Sequence, residues 1–295
     1  MVSRSDAKTK KKKRRTSGRK YIDSTLWKDK DLAKIKSISN AEYHSSPALS
    51  ASGGKIIAYE SLADFKHGER ETTRAMLQGT ATHTFVFEPD KADTVLHTDA
   101  RANSNAYKEL LAEAEAAGGI VLSTKEYDVA RRSAEAVRAN PDAAELLSGD
   151  LLVEQSIFAH DEIYDVDVRI RPDGWRKDTA TLLDLKTTID PSPEGFAKAT
   201  ANFAYHFQDQ FYRRVMMIAE KEVDRFVFIC VGKKAPFKVG VYELSSQSLK
   251  EGAAAVEYAL EKYSEALKTD VWDYDFGKTQ TVEIPRWAFK FTQGE

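Results

Sequence analysis

The hydrophobic pattern of the chain changes its period near residue 150, and this change limits the available folds more than any other feature. Before it, apolar residues recur at helical spacing; after it, five short apolar or alternating runs are typical of strands. Long helical patterns at about 194–219 and 246–268 interrupt and follow these runs. The order of elements predicts an α/β (α+β) core with a helical N-terminal elaboration. The strand-like runs are LLVEQSIF, VDVRIRPD, TLLDLKTT, DRFVFICV and FKVGVYEL.

The 295 residues, 42% of them hydrophobic, suffice for one large domain. We predict a single domain over residues 21–295, whose first part, 21–45, looks irregular. Its parts are a helical region at about 41–148, a core at about 150–268, and an aromatic segment, 269–295, that packs back onto the body. The helices expected in the N-terminal part span about 52–66, 70–87, 104–117 and 124–139.

Positive charge is concentrated at the N-terminus. Residues 1–20 hold ten Lys or Arg and one Asp, a net charge of +9, which leaves −11 for the rest of a chain whose total is −2. This segment has no apolar periodicity and is predicted to be a disordered basic tail. Its charge suits a non-specific nucleic-acid tether, a nuclear-import signal or, equally well, a solubilising tail. The acidic body requires a local groove, or metal ions bound by its acids, to contact DNA.

Composition excludes several classes of protein. No apolar run reaches the roughly 20 residues of a membrane span, and the charged N-terminus lacks the apolar segment of a secretory signal. Cys230 is the only cysteine, so disulfide scaffolds and four-cysteine zinc or iron–sulfur sites are excluded within one chain. Its apolar surroundings predict a packed core thiol. We therefore expect a cytoplasmic protein with no membrane partner.

Two carboxylates and an amine converge in two successive strand-like runs. The charged face of VDVRIRPD ends at Asp173, beside a proline and a glycine, where a strand ends or bends. The next run is expected to form a hairpin with this strand, and its Asp184 and Lys186 share a strand face, roughly 6.6 Å apart. Two converging carboxylates suit Mg²⁺ or Mn²⁺, which activates water and stabilises phosphoryl charge, while Lys186 orients or deprotonates that water. A structural ion pair explains the same pattern, so the motif alone is not specific.

Two further places add candidate ligands. Glu154 lies in an alternating run and is either an exposed strand glutamate or a third carboxylate at a metal site. Gly79 and His83 share one helix face. Glycine inside a helix costs about 1 kcal/mol relative to alanine, so the close approach of a backbone or a phosphate would explain it. His83 is either a packed core group or a metal ligand through its neutral imidazole.

The helix predicted at about 194–219 carries two aromatic stripes. Three phenylalanines form the first and suffice to anchor the helix. Two tyrosines and a glutamine form the second, which faces the site or a nucleic-acid strand unless the helix is buried on two sides. The members of the two stripes are Phe203, Phe207 and Phe211, and Tyr205, Gln208 and Tyr212.

The combined segments resemble the PD-(D/E)XK nuclease superfamily and, within it, the RecE-type exonuclease VIII branch encoded by phages and prophages. The resemblance runs from about residue 41 to 290 and excludes the basic tail. The ordered set Gly-x-x-x-His, Pro-Asp, Asp-x-Lys and Gln-x-x-x-Tyr is specific, whereas Asp-x-Lys alone is not. The matching segments, in family order, are YHSSPALSASG, GTATHTFVFEPD, VEQSIF, RIRPDGW, LLDLKTT and YHFQDQFY.

The resemblance implies a mixed central sheet flanked by helices and a defined activity. Such enzymes degrade the 5′-ended strand of linear double-stranded DNA and leave 3′ single strands for recombination. They form closed homo-oligomeric rings on DNA ends and work with a single-strand annealing protein of the RecT type, here in the cytoplasm of a bacterial host. Mg²⁺ is the implied cofactor, with one or two ions per site and Mn²⁺ as a substitute.

The resemblance also implies roles for individual residues. Lys186 is the implied general base or transition-state stabiliser, acting with the three acids of the site. The implied metal ligands are His83, Glu154, Asp173, Asp184 and the backbone carbonyl of Leu185. The residues predicted to contact DNA or support the site are Gln208, Tyr212, Tyr205, Arg171 and Gly79.

Three alternatives compete with the exonuclease. RecB-like nucleases share the His and Asp-x-Lys arrangement but usually carry four cysteines for an iron–sulfur cluster, and this chain has one. A restriction-type endonuclease is compatible with the motifs, although nothing in the chain suggests base readout. A non-catalytic DNA-binding or assembly protein on the nuclease fold would be expected to lack an acid or the lysine, and all are present.

Overall fold

Two main sheets and the helices packed on them make up the part of the chain that the computed structural model describes, residues 33–69, 71–274, 276–277 and 279–291. The predicted basic tail, 1–20, lies outside the described residues. The α/β (α+β) class is confirmed. Among the described helices, none combines the length and apolar character that crossing a membrane requires.

Strands and helices alternate along the described ranges. The strands are β1 (Ala33–Lys36), β2 (Leu49–Ser50), β3 (Val95–His97), β4 (Ile120–Leu122), β5 (Leu151–Val153), β6 (Ser156–Asp161), β7 (Val166–Ile170), β8 (Gly174–Arg176), β9 (Thr181–Thr188), β10 (Arg225–Gly232) and β11 (Val239–Tyr242). The α-helices are α1 (Asn40–Ser45), α2 (Ala51–Tyr59), α3 (Leu62–His67), α4 (Arg74–Phe87), α5 (Asn105–Ala116), α6 (Thr124–Ala139), α7 (Pro141–Leu146), α8 (Pro193–Phe203), α9 (Tyr205–Ile218) and α10 (Ser246–Thr269).

A five-stranded mixed sheet of order β11-β10-β9-β8-β5 forms the centre. Its long middle strands, β9 and β10, are parallel, and the other pairs are antiparallel. Both middle strands are covered on both faces, which explains their nearly continuous apolar sequences. Successive residues of β9 face opposite sides: Leu182 belongs to one hydrophobic core and Leu183 to the other. Asp184 and Lys186 therefore share the face of Leu182.

Helix α9 packs in the core that also holds a second, four-stranded sheet of order β1-β6-β7-β2. Phe207 and Phe211 of α9 are fully buried there together with residues of both sheets. Helices α2 and α10 close this core. On the opposite face of the five-stranded sheet, α4, α6 and α7 form the second core, which places α4 beside β9. A small parallel pair, β3 and β4, borders this helical layer.

Between β5 and β8 the chain crosses between the two sheets twice, and the sequence pattern hid both crossings. The run LLVEQSIF, predicted as one strand, is two strands in different sheets: Val153 pairs with Gly174, whereas Ser156 pairs with Lys36. The predicted pairing of VDVRIRPD with LLDLKTT is also wrong, because β7 lies in the four-stranded sheet and β8 is the partner of β9. Glu154 is therefore not a strand residue but the crossing point between β5 and β6.

Several predicted helices are divided or shifted. The helix expected at 52–66 is in fact two helices. Helix α2 ends at Tyr59, and the side chain of Ser61 then caps the start of α3. The helix expected at 194–219 breaks at Ala204, whose φ of 50° is left-handed. Phe203 consequently ends α8 and is 61% exposed, so it does not belong to the buried phenylalanine stripe. The prediction for 124–139 is confirmed by α6, which begins with a capping box at Ser123.

Part of the irregular and aromatic segments was also mispredicted. Residues 33–36 and 40–45, expected to be irregular, form β1 and α1. In the described part of the C-terminal segment, Trp272 packs against Phe65 and Tyr263. Phe276 and Trp287 remain at least three-quarters exposed, so these two described residues do not pack back onto the body.

Candidate active site

A groove of about 800 Å³ lies between α1, α2 and α4, above the half-buried C-terminal part of β9. The antiparallel partner β8 pairs only with the first three residues of β9, which leaves that edge of β9 unpaired by β8 from Asp184 onward, while β10 pairs with the other edge. Ten of the eleven predicted site residues line this groove. The eleventh, Tyr205, does not line it, but its ring contacts Lys186. The ten are Gly79, His83, Glu154, Arg171, Asp173, Asp184, Leu185, Lys186, Gln208 and Tyr212.

Three potential ligands converge at one end of the groove. Nε2 of His83 lies 3.2 Å from Oε1 of Glu154 and 3.4 Å from Oδ1 of Asp173. The ligating atoms of all three lie within 4.8 Å of one another. Within the described part of the chain, the buried Nε2 has no hydrogen-bond partner. An imidazole nitrogen and two carboxylate oxygens directed at one point fit a divalent cation.

The two sheet crossings hold the carboxylates in place. Glu154 has a left-handed backbone (φ 54°), which is unusual for a residue with a side chain, and its N–H donates to the carbonyl of Asp173 at 3.4 Å. Asp173 precedes β8, and its Oδ2 accepts the N–H of Leu185 at 2.7 Å. This bond takes the place of a backbone hydrogen bond that β8 would make with β9 if β8 extended further. The carbonyl of Leu185 as a metal ligand stays a prediction.

Asp184 is directed toward Lys186 and Gln208 rather than into the three-residue cluster. Nζ of Lys186 lies 2.5 Å from Oδ1 of Asp184 and donates to Oε1 of Gln208 at 3.1 Å. The amide nitrogen of Gln208 donates to the other oxygen of Asp184. The ring of Tyr205 lies 4.7 Å from Nζ. The acid, the lysine and the glutamine thus form a closed triangle beside the cluster, and metal ligation by Asp184 stays a prediction.

Burial and the surrounding charges act in opposite directions on Lys186. Burial lowers the pKa of its ammonium group, but the charges of Asp184 and Asp173 outweigh burial and raise this pKa above its usual value. Lys186 is therefore a cation at neutral pH. In the absence of a bound cation, this charge suits stabilisation of a phosphate better than removal of a proton.

Arg171 supports the site from behind. Its side chain is only 8% exposed and lies 3.6 Å from Oε2 of Glu154. Its Nε donates to Oγ of Ser156 at 2.8 Å, and its guanidinium group packs over the ring of Tyr43 in α1. The hydroxyl of Tyr212 donates to the carbonyl of Arg171 at 3.1 Å. These contacts join α1 and α9 to Glu154, and the predicted roles of Arg171 and Tyr212 in supporting the site or contacting DNA stay predictions.

Lys55 in α2 is a groove residue that the sequence did not reveal. Its Nζ donates to the carbonyl of Phe203 at 3.3 Å, and in the described part of the chain it has no carboxylate within ion-pair distance. Burial, reinforced by the charge of Lys186, lowers the pKa of Lys55 to about 8. A lysine in an amphipathic helix is normally a solvated charge, so the sequence carries no signal for this position.

Gly79 is not required by a close contact within the protein. A Cβ at this position would meet only Oγ1 of Thr187, at an ordinary distance of 3.6 Å. No backbone approaches it in the described structure, so one of the two explanations offered for this glycine is wrong. Gly79 does line the groove, which leaves access for a ligand as its explanation.

Gly79→Ala is therefore expected to separate stability from function. Alanine in a helix interior should raise the free energy of unfolding by about 0.5–1 kcal/mol. The added methyl group narrows the groove, and we expect DNA affinity to fall. Urea denaturation and a DNA-binding titration measure the two effects, with Ala112→Gly, at an exposed position inside α5, as the reverse control for propensity. A less stable Gly79→Ala protein contradicts the open space around this residue.

Metal affinity is expected to rise with pH between 6 and 9. Burial lowers the pKa of His83, but the charges of Asp173 and Glu154 outweigh it and raise this pKa to about 9. Burial, with the charge of Asp173, raises the pKa of Glu154 to about 7. Both groups must lose protons to bind a cation, so binding releases protons. Calorimetric titration with Mn²⁺ in two buffers of different ionisation enthalpy measures this release; an affinity independent of pH contradicts the prediction.

Comparisons with known proteins agree with this architecture. The sequence family described as "PDDEXK-like domain of unknown function (DUF3799)" matches residues 58–284. The crystal structure of "Putative exonuclease" from Eubacterium rectale is similar with a TM-score of 0.57 and 13% identity, over 88% of this chain and all of that chain. At this identity the likeness concerns the fold alone.

A phage related exonuclease from Haemophilus somnus 129PT aligns over 76% of this chain and 96% of that chain, with 12% identity. Its TM-score of 0.32 is too low to support an argument. No curated protein matches the chain.

The family match and the sheet architecture confirm the predicted PD-(D/E)XK nuclease fold. The matched range includes the groove residues from His83 to Tyr212. The narrower RecE-type resemblance stays a prediction. Since the match covers well over half of the sequence, the chain belongs to the family of PDDEXK-like domains of unknown function, DUF3799.

Proposed function

We propose that this chain is a metal-dependent exodeoxyribonuclease that degrades the 5′-ended strand of linear double-stranded DNA. One observation carries the nuclease part of the proposal. The buried Nε2 of His83 faces the carboxylates of Glu154 and Asp173 and has no hydrogen bond among the described residues, in a groove that also holds the Lys186 cation. A cation site and an ammonium group that lie side by side in a groove are suited to bind the negatively charged phosphate of a phosphodiester.

His83, Glu154 and Asp173 would hold a divalent ion, Mg²⁺ in our proposal, with Mn²⁺ as a substitute and Asp184 as a further ligand. When bound, the ion would neutralise the acids, activate a water and stabilise negative charge on phosphorus-bound oxygens. The protein supplies the remaining functions. Glu154 and Asp173 are fixed by the sheet crossings, so the ligands need little reorganisation.

Lys186 is the residue that we expect to meet the phosphate. Its ammonium group is held by Asp184 and Gln208, and the pKa shift keeps it protonated. Fixed donors directed at developing charge are a large source of catalysis because they need no reorganisation during the reaction. Of its two predicted roles, these observations favour transition-state stabiliser over general base.

The direction of digestion, the ring, the RecT-like annealing partner and a phage or prophage origin are implied by the resemblance alone and stay predictions. The acidic body is compatible with DNA binding only if local cations line the path of the strand. Lys55 and Lys186 supply two such cations in the groove. Whether one or two ions bind per site also stays a prediction.

Linear duplex DNA labelled at one 5′ end tests the activity. We expect Mg²⁺-dependent release of the 5′ label and survival of the 3′-ended strand. Closed circular duplex with the same sequence is the matched control and should remain intact. Nicking of the circle at a similar rate would identify an endonuclease on this fold. DNA binding without cleavage in either Mg²⁺ or Mn²⁺ would instead favour a non-catalytic DNA-binding protein.

A further inference from the structure

Phe203 is an exposed aromatic residue next to the proposed active site. The left-handed Ala204 ends α8 at this position and directs the ring away from the buried Phe207 and Phe211. The ring is 61% exposed, which is costly for a phenylalanine in water. The proposed chemistry uses none of its atoms. An exposed apolar ring held beside a functional groove suggests a binding role.

The ring of Phe203 is the outermost of a series of aromatic rings that reaches Lys186. The rings of Phe203 and Tyr205 are stacked, with centroids 5.9 Å apart and an interplanar angle of 26°. Tyr205 stacks in turn on the fully buried Phe228, and its ring lies 4.7 Å from Nζ of Lys186. In the described part of the chain, Tyr205 is the only ring that contacts Phe203. The inner rings are thus fixed by the core, and the outer ring is available for a planar ligand.

Lys55 places a positive charge at the same point. Its Nζ donates to the carbonyl of Phe203 at 3.3 Å and lines the groove. Although the charge of Asp184 acts on it, no carboxylate of the described residues lies within ion-pair distance, and the ammonium group is available for an anion. An open aromatic face and an available ammonium group on one residue pair match the two parts of a nucleotide, its base and its phosphate.

We propose that Phe203 and Lys55 form a subsite for an unpaired nucleotide next to the scissile phosphate. Phe203 stacks on the base, and Lys55 contacts a phosphate of the same strand. This subsite rests on the proposed nuclease function and adds to it. Apart from the terminal pair, a base of the duplex has both faces covered by its neighbours and can stack on Phe203 only after leaving the duplex, so the subsite favours an end whose terminal pairs are open. Stacking offsets the cost of opening a fully paired end.

Fluorescence of 2-aminopurine, placed at each of the first three 5′ positions of a duplex, tests the subsite. With Ca²⁺ in place of Mg²⁺, we expect the wild-type protein to change the emission at one of these positions. Phe203→Ala should abolish that change and weaken binding about tenfold, whereas Phe203→Trp should retain both. Phe276→Ala removes another exposed aromatic residue, one in the C-terminal segment, and should behave as wild type.

Cleavage in Mg²⁺ provides the second readout. Phe203→Ala should slow digestion of fully paired ends more than that of ends with two mismatched terminal pairs, because the mismatches remove the need for opening. Equal slowing of both ends overturns the unpaired-base proposal, as does a Phe203→Ala protein that equals wild type in fluorescence and cleavage. If wild type cleaves neither DNA but shows the Phe203-dependent emission change, the nuclease function fails and the base-stacking site stands.

Discussion

Lys186→Met is expected to reduce the rate of DNA cleavage by about a thousandfold, which is the upper range for loss of one fixed transition-state donor. The substitution keeps most of the side-chain volume and removes the ammonium group that contacts Asp184 and Gln208. Metal binding should survive, because Lys186 is not among the converging ligand atoms. Single-turnover cleavage in saturating Mg²⁺ measures the rate, and calorimetric titration with Mn²⁺ measures the binding.

The same substitution should destabilise the fold, and this effect needs a control. Asp184 is 3% exposed, and the loss of one partner of a buried ion pair typically costs about 3–5 kcal/mol; the partial exposure of Lys186 places this site at the lower end. The double variant Asp184→Asn/Lys186→Met removes both charges and should recover most of the stability without activity. If the double variant cleaves DNA at more than one-tenth of the wild-type rate, the triangle of Asp184, Lys186 and Gln208 is not part of the catalytic machinery.

The face that carries Asp184 and Lys186 could be predicted because it follows from local geometry. Side chains alternate along any strand, so two residues spaced by one share a face whatever the fold around them. The parallel pairing of β9 with β10 also left a recognisable trace, an apolar run that is buried on both faces. For similar reasons, the second stripe of α9 could be placed near the site, since Gln208 and Tyr212 are one turn apart.

The origin of the cluster could not be predicted, because it depends on pairing between distant strands. Glu154 and Asp173 come together where the chain passes from one sheet to the other. The alternating hydrophobic pattern of the sequence continues through such a crossing without interruption. No glycine or proline marks the break at Ala204. Because alanine seldom adopts a left-handed backbone, the sequence does not indicate a break there. The exposure of Phe203, which follows from this break, could therefore not be predicted either.

Asp173→Asn is expected to abolish the stabilisation of the protein by divalent ions and to reduce cleavage at least a hundredfold. Asp173 faces His83 with one oxygen and the N–H of Leu185 with the other. The amide can retain the contact with Leu185 but supplies no negative charge to a cation. A ligand present at 100 times its dissociation constant adds about 2.7 kcal/mol to the free energy of unfolding. Wild type should therefore show a clear rise in melting temperature with Mn²⁺, and the variant should not.

Asp167→Asn is the matched control for this experiment. Asp167 also contacts a histidine, with Oδ1 lying 2.9 Å from Nδ1 of His160, but it lies outside the groove. Its amide variant should retain both the Mn²⁺-dependent rise in melting temperature and the cleavage rate. A full Mn²⁺ effect in Asp173→Asn would show that the ion binds elsewhere, for example through Asp184 alone. The cluster of His83, Glu154 and Asp173 would then be an internal charge network, and the metal-dependent mechanism would lose its structural basis.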